Sequence, residues 1–97
     1  MWYNFEWDLK KARANNIKHK VSFVNAATVF KDPRALTIFD EDHIEEEDRW
    51  ITIGLSSDGS LLVVHHTFNR INNETAVLRI ISSRKATKSE MRQYTEV

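Results

Sequence analysis

Residues 49–68, RWITIGLSSDGSLLVVHHTF, carry the pattern from which the rest of the fold follows. Over residues 49–55 the side chains alternate between two faces of a predicted strand, one with Arg49, Ile51, Ile53 and Leu55 and the other with Trp50 and Thr52. Ser57-Asp58-Gly59 supplies the residue types of a tight turn, and residues 61–68 supply a returning strand. The stretch therefore predicts an antiparallel β-hairpin.

The residues before this hairpin predict two short helices and a strand. Asp8 is a suitable N-cap for a helix over residues 9–16, with Asn15-Asn16 as its exit. Ser22 is a suitable N-cap for a second helix over residues 23–30, where apolar residues recur at helical spacing. Asp32-Pro33 ends that helix, because Pro disfavours helical geometry at the residue before it. Residues 35–40 then predict a short strand.

The residues after the hairpin predict one more strand and a final helix. A turn at Asn72-Asn73-Glu74 precedes a strand over residues 76–83. Thr87-x-x-Glu90 matches a capping box, which begins a helix that runs through Tyr94. The whole pattern predicts an α+β fold with two N-terminal helices, a four-stranded antiparallel sheet and a C-terminal helix, the helices packing on one face of the sheet.

The composition bounds the class of protein. A chain of 97 residues, 41% hydrophobic, is expected to form one domain over residues 1–97 with a modest core. The absence of Cys excludes disulfides and thiolate metal ligands and fits a reducing compartment. The longest apolar run, Leu61–Val64, is far shorter than a membrane span, and the N-terminus has no apolar signal-peptide core. We therefore expect a soluble cytoplasmic protein with no membrane partner.

The formal net charge is zero, but the charges are unevenly distributed. Residues 1–24 hold five basic and two acidic side chains, residues 25–50 hold three basic and eight acidic, and residues 51–97 hold six basic and four acidic. A nucleic-acid-binding surface would need the basic residues of the two ends to converge in space. The acidic segment, residues 40–48, is either a solvated loop or a contact for a basic partner.

The order of the polar segments along the chain resembles one family. The segments are Phe5-Glu6-Trp7-Asp8, Lys18-His19-x-Val21-Ser22-Phe23, Val29-Phe30-x-Asp32-Pro33, Asp40-x-x-His43, Glu47-x-Arg49-Trp50-Ile51-x-Ile53-Gly54, Arg79-Ile80-Ile81-Ser82-x-Arg84 and Glu90-x-x-x-Tyr94. Together they resemble the BrnT toxins, small bacterial ribonucleases of type II toxin–antitoxin systems. The resemblance runs from about Phe5 to Tyr94, and its specificity comes from the ordered set.

The resemblance implies a fold, an activity and partners. BrnT proteins are similar in fold to RelE-type ribonucleases, so a RelE-like fold with RNA on the open sheet face is implied. The implied activity is metal-independent endoribonuclease cleavage that inhibits translation and growth. The implied partners are the RNA substrate and a BrnA-like antitoxin, with promoter DNA bound only indirectly, through the antitoxin. No His, Asp or Glu cluster has metal-ligand spacing, so no metal or cofactor is predicted.

Cleavage of RNA without a metal requires a base, an acid and cations that stabilise the phosphorane. Arg79 interrupts an otherwise apolar strand, so it either contacts phosphate or forms a structural ion pair. Arg84, at the end of the same strand, is a second candidate with the same alternatives. His65 and His66 lie on opposite faces of their strand, and His66 matches the family position better. A structural role is the alternative for either histidine.

The remaining candidates flank the acidic segment or lie apart from it. His43 and Glu47 share a side if their segment is helical and would then move protons; alternatively Glu47 pairs with Arg49 to anchor the strand. Lys18, Arg49 and Arg70 are candidates for RNA binding. For Tyr94 we expect packing or a hydrogen bond back to the sheet.

Two departures from the family leave a second reading open. The family has Gly after the Lys-His pair, where this chain has Lys20, so a turn with positive φ would lose its least strained residue. The family is also more basic than this neutral chain, which weakens the expected affinity for RNA phosphates. The alternative function is a catalytically inactive, BrnT-like protein-binding module.

Overall fold

The fold is a twisted sheet with helices on both faces. The computed structural model describes residues 1–43 and 48–96. The elements in chain order are β1 (Trp2–Glu6), α1 (Leu9–His19), α2 (Phe23–Ala27), β2 (Leu36–Phe39), β3 (Arg49–Leu55), β4 (Leu61–Thr67), β5 (Asn69–Arg70), β6 (Thr75–Lys85) and α3 (Lys88–Glu96). Short 3₁₀ helices lie at Thr28–Lys31 and Glu41–His43. Among the described residues, no helix is long and apolar enough to cross a membrane.

The strands form a mixed sheet whose described order is β1-β6-β4-β3-β2, with the short β5 also beside β6. The β3–β4 hairpin predicted from residues 49–68 is confirmed, and its register pairs Leu55 with Leu61 and Arg49 with Thr67. Gly59 in the turn has φ of 87°, a conformation that Gly adopts without a steric penalty. β1 is the exception to the antiparallel pattern, because it runs parallel to β6 with Trp2 opposite Thr75.

The predicted fold class is therefore wrong in strand number, strand direction and the placement of the helices. The described sheet has six strands and is mixed, where four antiparallel strands and a RelE-like arrangement were predicted. β1 was not predicted because it is a five-residue edge strand whose partner lies more than seventy residues away in sequence, and no local turn connects the two strands. β5 has only two residues and was not predicted, while the strand predicted over residues 61–68 is observed as β4 and ends one residue earlier, at Thr67.

The helices cover both faces of the sheet. α2 and the 3₁₀ helix after it bury Phe23, Ala26 and Val29 against Leu62, Val64 and Ile80. On the opposite face, Tyr94 of α3 packs over Ile53, Val63 and Ala86. The prediction that all helices share one face is wrong because β3 and β4 alternate apolar residues on both sides, and each side has to be covered.

The helix caps were predicted correctly. The Asp8 carboxylate accepts hydrogen bonds from the Lys10 and Lys11 amides at 2.8 and 3.1 Å, and Ser22 Oγ accepts from the Asn25 amide at 3.0 Å. These bonds satisfy amides in the first turns of α1 and α2 that have no partner within the helix.

The predicted exit of the first helix at Asn15-Asn16 is wrong, because α1 continues to His19. Asn15 is buried instead, and its amide bridges two elements. Nδ2 donates to the backbone oxygens of Val21 and Ser83 at 3.0 and 2.8 Å, and Oδ1 accepts from the Ser83 amide at 3.0 Å. Asn15 therefore fixes α1 to β6 by the hydrogen-bonding pattern of a short β-bridge.

Candidate functional site

The two adjacent histidines of β4 lie on opposite faces of the sheet, as the strand alternation predicts. His66 lies on the side of α1 and α2, where its ring contacts Phe30 with centroids 4.8 Å apart. His65 lies on the other side, opposite Ser82 of β6 and Ile51 of β3. The sheet thereby separates the two imidazoles into different environments.

His66 is held in the core by a chain of hydrogen bonds. Its side chain is 2% exposed, Nδ1 lies 3.0 Å from the Thr67 backbone oxygen, and Nε2 lies 2.7 Å from Thr52 Oγ1. A carbonyl only accepts, so Nδ1 donates to it; the neutral Nε2 then accepts from the Thr52 hydroxyl, which accepts in turn from Thr37 at 2.8 Å. Burial lowers the pKa of His66, which favours this neutral form. This geometry is what we would expect if His66 has a structural role, which was the alternative to proton transfer.

On the face of His65, four side chains of different strands form one row across the sheet. Glu6 of β1 is opposite Arg79 of β6, the Arg79 amide donates to Thr67 Oγ1 of β4 at 3.2 Å, and Thr67 is opposite Arg49 of β3. His65 lies in the next row. We call the surface formed by Glu6, Arg79, Thr67, Arg49 and His65 the open face, since α3 packs on the other end of this side of the sheet.

His65 has a buried carboxylate beside it. His65 Nδ1 lies 3.9 Å from Asp40 Oδ2, and Asp40 is 6% exposed while the His65 side chain is 27% exposed. The Asp40 amide donates to the Arg49 backbone oxygen at 2.8 Å, which ties the end of β2 to the start of β3. The Asp40 carboxylate thus lies on the side of the His65 ring that carries Nδ1.

Arg79 lines a polar pocket at the end of the open face. The pocket has a volume of about 310 Å³ and is lined by Glu6, Asp48, Thr67, Phe68, Asn69, Val77 and Arg79. Because the carboxylates of Glu6 and Asp48 line the same pocket, Arg79 can bind an anion there only if those carboxylates point away from it. The two carboxylates can in turn accept hydrogen bonds from a part of the same ligand that carries N–H or O–H groups.

Arg84 reaches the same side of the sheet as Arg79 through a β-bulge. Strict alternation places residues five apart on opposite faces, but the β4–β6 register shifts by one between His65 and His66, so Arg84 lies opposite Val63. Arg84 donates to both oxygens of Glu90 in α3, at 2.7 and 2.9 Å. This ion pair raises the pKa of Arg84 and lowers that of Glu90 to about 2. Arg84 thus forms a structural ion pair, which was the alternative to contact with phosphate.

Glu90 also completes the predicted capping box. Its Oε1 accepts from the Thr87 amide at 2.8 Å, and the Glu90 amide donates to Thr87 Oγ1 at 3.2 Å. The C-terminal end of the same helix is fixed by Tyr94, whose hydroxyl donates to Asp32 Oδ2 at 2.7 Å. This hydrogen bond raises the pKa of Tyr94. The contacts of Arg84, Glu90 and Tyr94 together fix α3 against the sheet.

The structure does not bring Lys18 or Arg70 to the open face. Lys18 is exposed in the last turn of α1, on the opposite side of the sheet. Arg70 donates from Nε to the Asn72 backbone oxygen at 3.1 Å, which stabilises the turn between β5 and β6. Arg49 is therefore the one of these three predicted RNA-binding residues that lies on the open face, where Thr67 of β4 separates it from Arg79.

Glu47 lies outside the described residues. His43 ends the 3₁₀ helix Glu41–His43, and its backbone alone is described. Within residues 1–43 and 48–96, no three His, Asp or Glu side chains come together as potential metal ligands. The groups described on the open face are thus basic, imidazole, hydroxyl and carboxylate side chains.

Comparison with known proteins identifies the family. The family model described as "Ribonuclease toxin, BrnT, of type II toxin-antitoxin system" matches residues 7–90. The chain belongs to the BrnT family. Because BrnT proteins are toxins of type II toxin–antitoxin systems, membership implies that this chain has an antitoxin partner.

A solved structure supports the same fold. The crystal structure of the Brucella abortus ribonuclease toxin BrnT matches with a TM-score of 0.59 and 22% sequence identity, covering 91% of this chain and 100% of that one. At this identity the match shows a BrnT-like fold. No match was found among the curated proteins.

His65, Thr67 and Asp40 are candidate site residues that the sequence analysis did not select. The signal for His65 was present, because the predicted turn at residues 57–59 sets the hairpin register, and that register pairs His65 with Ile51. Ile51 shares its face with Arg49, so the register alone places His65 beside Arg49. His66, which is buried, was selected instead because it matches the family pattern better.

Proposed function

We propose that this BrnT-family chain is an endoribonuclease that cleaves RNA on the open face without a metal. The observation that carries the proposal is the row Glu6–Arg79–Thr67–Arg49 with His65 in the adjacent row. Two guanidinium groups and an imidazole on one partly exposed surface supply the cations and the proton-transfer group that phosphodiester cleavage requires.

The proposed reaction is an intramolecular transesterification. A base removes the proton of the ribose 2′-hydroxyl, and that oxygen attacks the adjacent phosphorus. The bond from phosphorus to the 5′-oxygen of the next nucleotide breaks, and an acid returns a proton to the leaving oxygen. The products are a 2′,3′-cyclic phosphate and a free 5′-hydroxyl, so atoms and protons balance.

The described residues supply distinct parts of this reaction. Arg79 and Arg49 hold the phosphate, since a guanidinium offers several donors in a fixed geometry and stays charged through the transition state. His65 transfers a proton through Nε2, with Asp40 beside its other ring nitrogen at 3.9 Å. Glu47 and His43 remain proposed partners in proton transfer, on the sequence argument alone. Arg84 and His66 are assigned to the structural contacts that occupy them.

The proposed biological role is that of a growth-inhibiting toxin, acting on RNA in the cytoplasm. A BrnA-like antitoxin is proposed as the neutralising partner, and promoter DNA would be contacted through that antitoxin. Support for the antitoxin comes from the family assignment, which defines the toxin as one half of a pair.

The test is cleavage of total bacterial RNA by the purified chain in the presence of EDTA. We expect cleavage by the unaltered chain and a loss of about 100-fold or more in Arg79→Ala, because removing a donor to the charged transition state costs that much in other enzymes. Arg70→Ala is the matched control, since Arg70 follows Asn69, which lines the same pocket, but donates to a backbone oxygen of the turn. Thermal unfolding of both variants excludes a folding defect. Undiminished cleavage by a folded Arg79→Ala variant would overturn the site.

A second function, an inactive protein-binding module, is favoured by the charges around Arg79. Glu6 and Asp48 line the same pocket, and the chain as a whole is neutral. Expression of the chain alone in bacteria separates the two functions. Growth arrest that disappears with Arg79→Ala supports the toxin, whereas unimpaired growth together with no cleavage of ribosome-bound or free RNA supports the binding module.

A further inference from the structure

An exposed tryptophan lies at the start of β1, on the side of the sheet that carries the open face. β1 pairs in parallel with β6, and the pairing that sets Glu6 beside Arg79 also sets Trp2 beside Thr75, two rows farther along the sheet. Alternate residues of a strand point to the same side. Tyr3 points to the other side, where its ring contacts those of three phenylalanines. Trp2 therefore shares a side of the sheet with Arg79.

A second exposed apolar residue lies across Thr75 from Trp2. The Ile71 amide donates to the Thr75 backbone oxygen at 2.9 Å, and Ile71 comes two residues after Asn69, which lines the pocket of Arg79 on this side. Trp2 is 75% exposed and Ile71 is 57% exposed. Tryptophan is highly buried on average in folded proteins, so an indole left in solvent beside another apolar side chain marks a binding surface. We call the surface of Trp2, Thr75 and Ile71 the Trp2 surface.

One row of the sheet separates the Trp2 surface from the row of Arg79. In this row Val77 is paired with Asn4 on one side and with Asn69 on the other, and both amide side chains can donate and accept hydrogen bonds. Each residue advances a strand by about 3.3 Å, so the Trp2 surface lies about 13 Å from the Arg79 row along the sheet. An extended RNA strand with a phosphate on Arg79 therefore reaches the Trp2 surface with a base one or two nucleotides away.

The side chains at the two ends of this track differ in what they can bind. Arg79 and Arg49 supply cations at one end. At the other end Glu74, whose backbone oxygen accepts from the Trp2 amide at 2.6 Å, adds an acidic residue, which disfavours a phosphate there. An indole face stacks with any unpaired base, and sites for single-stranded nucleic acid combine such aromatic side chains with cations that follow the backbone. The open face and the Trp2 surface supply these two parts on one side of the sheet.

We propose that Trp2 stacks on a base of single-stranded RNA, one or two nucleotides from the phosphate that Arg79 holds, and that Asn4 and Asn69 contact the nucleotide between. The proposal rests on the ribonuclease function proposed above and adds a base-binding subsite to it. Because stacking accepts every base, the Trp2 surface contributes affinity and fixes the path of the strand without selecting a sequence. Paired RNA, whose bases are already stacked on one another, does not bind there in this way.

The chain offers a matched set of variants. Trp2→Ala removes the ring, whereas Trp2→Phe keeps an aromatic face at the same position. Ile17→Ala is the control, because Ile17 is also 75% exposed but belongs to α1, on the other side of the sheet. Thermal unfolding shows that each variant is folded, which the exposure of both side chains leads us to expect.

Binding is measured with a single-stranded 2′-O-methyl RNA, which cannot be cleaved by its own 2′-oxygen, and cleavage with unmodified RNA of the same sequence. We expect Trp2→Ala to raise both the Kd and the KM about 10-fold, because loss of one aromatic stack weakens single-strand binding by about this much, and Trp2→Phe to raise them less than about 3-fold. Ile17→Ala should leave both unchanged. RNA should quench the tryptophan fluorescence of the unaltered chain and quench that of Trp2→Phe much less, although Trp7 and Trp50 remain.

RNAs that lack a single base locate the stacked nucleotide. With the unaltered chain, the abasic position that matters should lie one or two nucleotides from the cleaved bond and should raise the Kd about 10-fold. The same abasic RNA should bind Trp2→Ala no more weakly than the complete RNA does, because the two changes remove one and the same contact. Additive losses at every position would refute stacking on Trp2.

The outcomes distinguish failure of the subsite from failure of the proposed function. Unchanged binding and cleavage of RNA by Trp2→Ala, with the unaltered chain active, would overturn the subsite and leave the ribonuclease standing. RNA binding that depends on Trp2 but is accompanied by no cleavage would support the subsite and overturn the enzyme. Weaker binding of a BrnA-like antitoxin with unchanged RNA binding in Trp2→Ala would make the Trp2 surface a protein-docking site instead. Absence of both RNA binding and cleavage by the unaltered chain would overturn both.

Discussion

The ion pair between Arg84 and Glu90 makes a quantitative prediction, because the pKa of Glu90 measures how strongly the folded state holds its carboxylate. Hydrogen bonds from Arg84 lower that pKa from 4.5 to about 2. A difference of this size sets an upper limit of about 3 kcal/mol on what the Glu90 carboxylate contributes to the free energy of unfolding at neutral pH. The Glu90 side chain is 20% exposed, so solvent screening reduces the expected contribution to about 2 kcal/mol.

The sign of the pH dependence follows from the lowered pKa. Above pH 4.5 the carboxylate is charged in both folded and unfolded chains, and its full contribution to stability is present. As the pH falls from 4.5 toward 2, the unfolded chain binds a proton first and the contribution is lost. Glu90→Gln should therefore lower the free energy of unfolding by about 2 kcal/mol at pH 7, and by much less near pH 2.

The assay is chemical and thermal unfolding of the unaltered chain, Glu90→Gln, Arg84→Gln and the double variant, with Glu96→Gln on the same helix as control. For a domain of this size, 2 kcal/mol corresponds to a fall in Tm of about 10 °C. A double-mutant cycle should give a coupling energy of about 1–2 kcal/mol between Arg84 and Glu90. Additive effects of the two variants would refute the reasoning. Loss of RNA cleavage in Arg84→Gln but not in Glu90→Gln would return Arg84 to the catalytic site.

Two further predictions concern the N-terminal helices. Asn15→Ala leaves the Ser83 amide and the backbone oxygens of Val21 and Ser83 without their buried partner, so it should cost about 3 kcal/mol in urea unfolding, while Asn16→Ala on the exposed side should change stability by less than about 0.5 kcal/mol. Lys20→Gly should stabilise the chain by about 1 kcal/mol, because Lys20 has φ of 58° and Gly adopts this conformation without a Cβ clash; Lys18→Gly, inside α1, should destabilise it by a similar amount.

The parts of the fold that the sequence predicts are those with a local physical signal. A side-chain oxygen one residue before a helix satisfies amides of its first turn, and Asp8 and Ser22 do so where the sequence indicated. The turn at residues 57–59 fixes the register of the β3–β4 hairpin. Lys20 follows the same logic, since a residue that replaces Gly after a helix is expected at positive φ, and it has that conformation.

The parts that could not be predicted depend on contacts distant in sequence. β1 becomes a strand because Thr75–Arg79 offers it a parallel partner, and five residues of the sequence WYNFE do not by themselves distinguish a strand from an irregular terminus. Asn15 reads as a residue that ends helices, and its buried role is visible only once β6 lies beside α1. In both cases the tertiary partner overrides the local propensity.

The β-bulge in β6 explains why the candidate site was only partly predictable. Alternation from Arg79 puts Arg84 on the opposite face, which would have left the two arginines in unrelated environments. The register shift between His65 and His66 moves Arg84 back to the side of Arg79, within reach of Glu90 in α3. Arg84 then fixes the helix that covers one end of this side, and Arg79 remains at the other end beside Thr67. A single extra residue in β6 thus brings Arg84 to the side of Arg79, and alternation alone carries no signal for it.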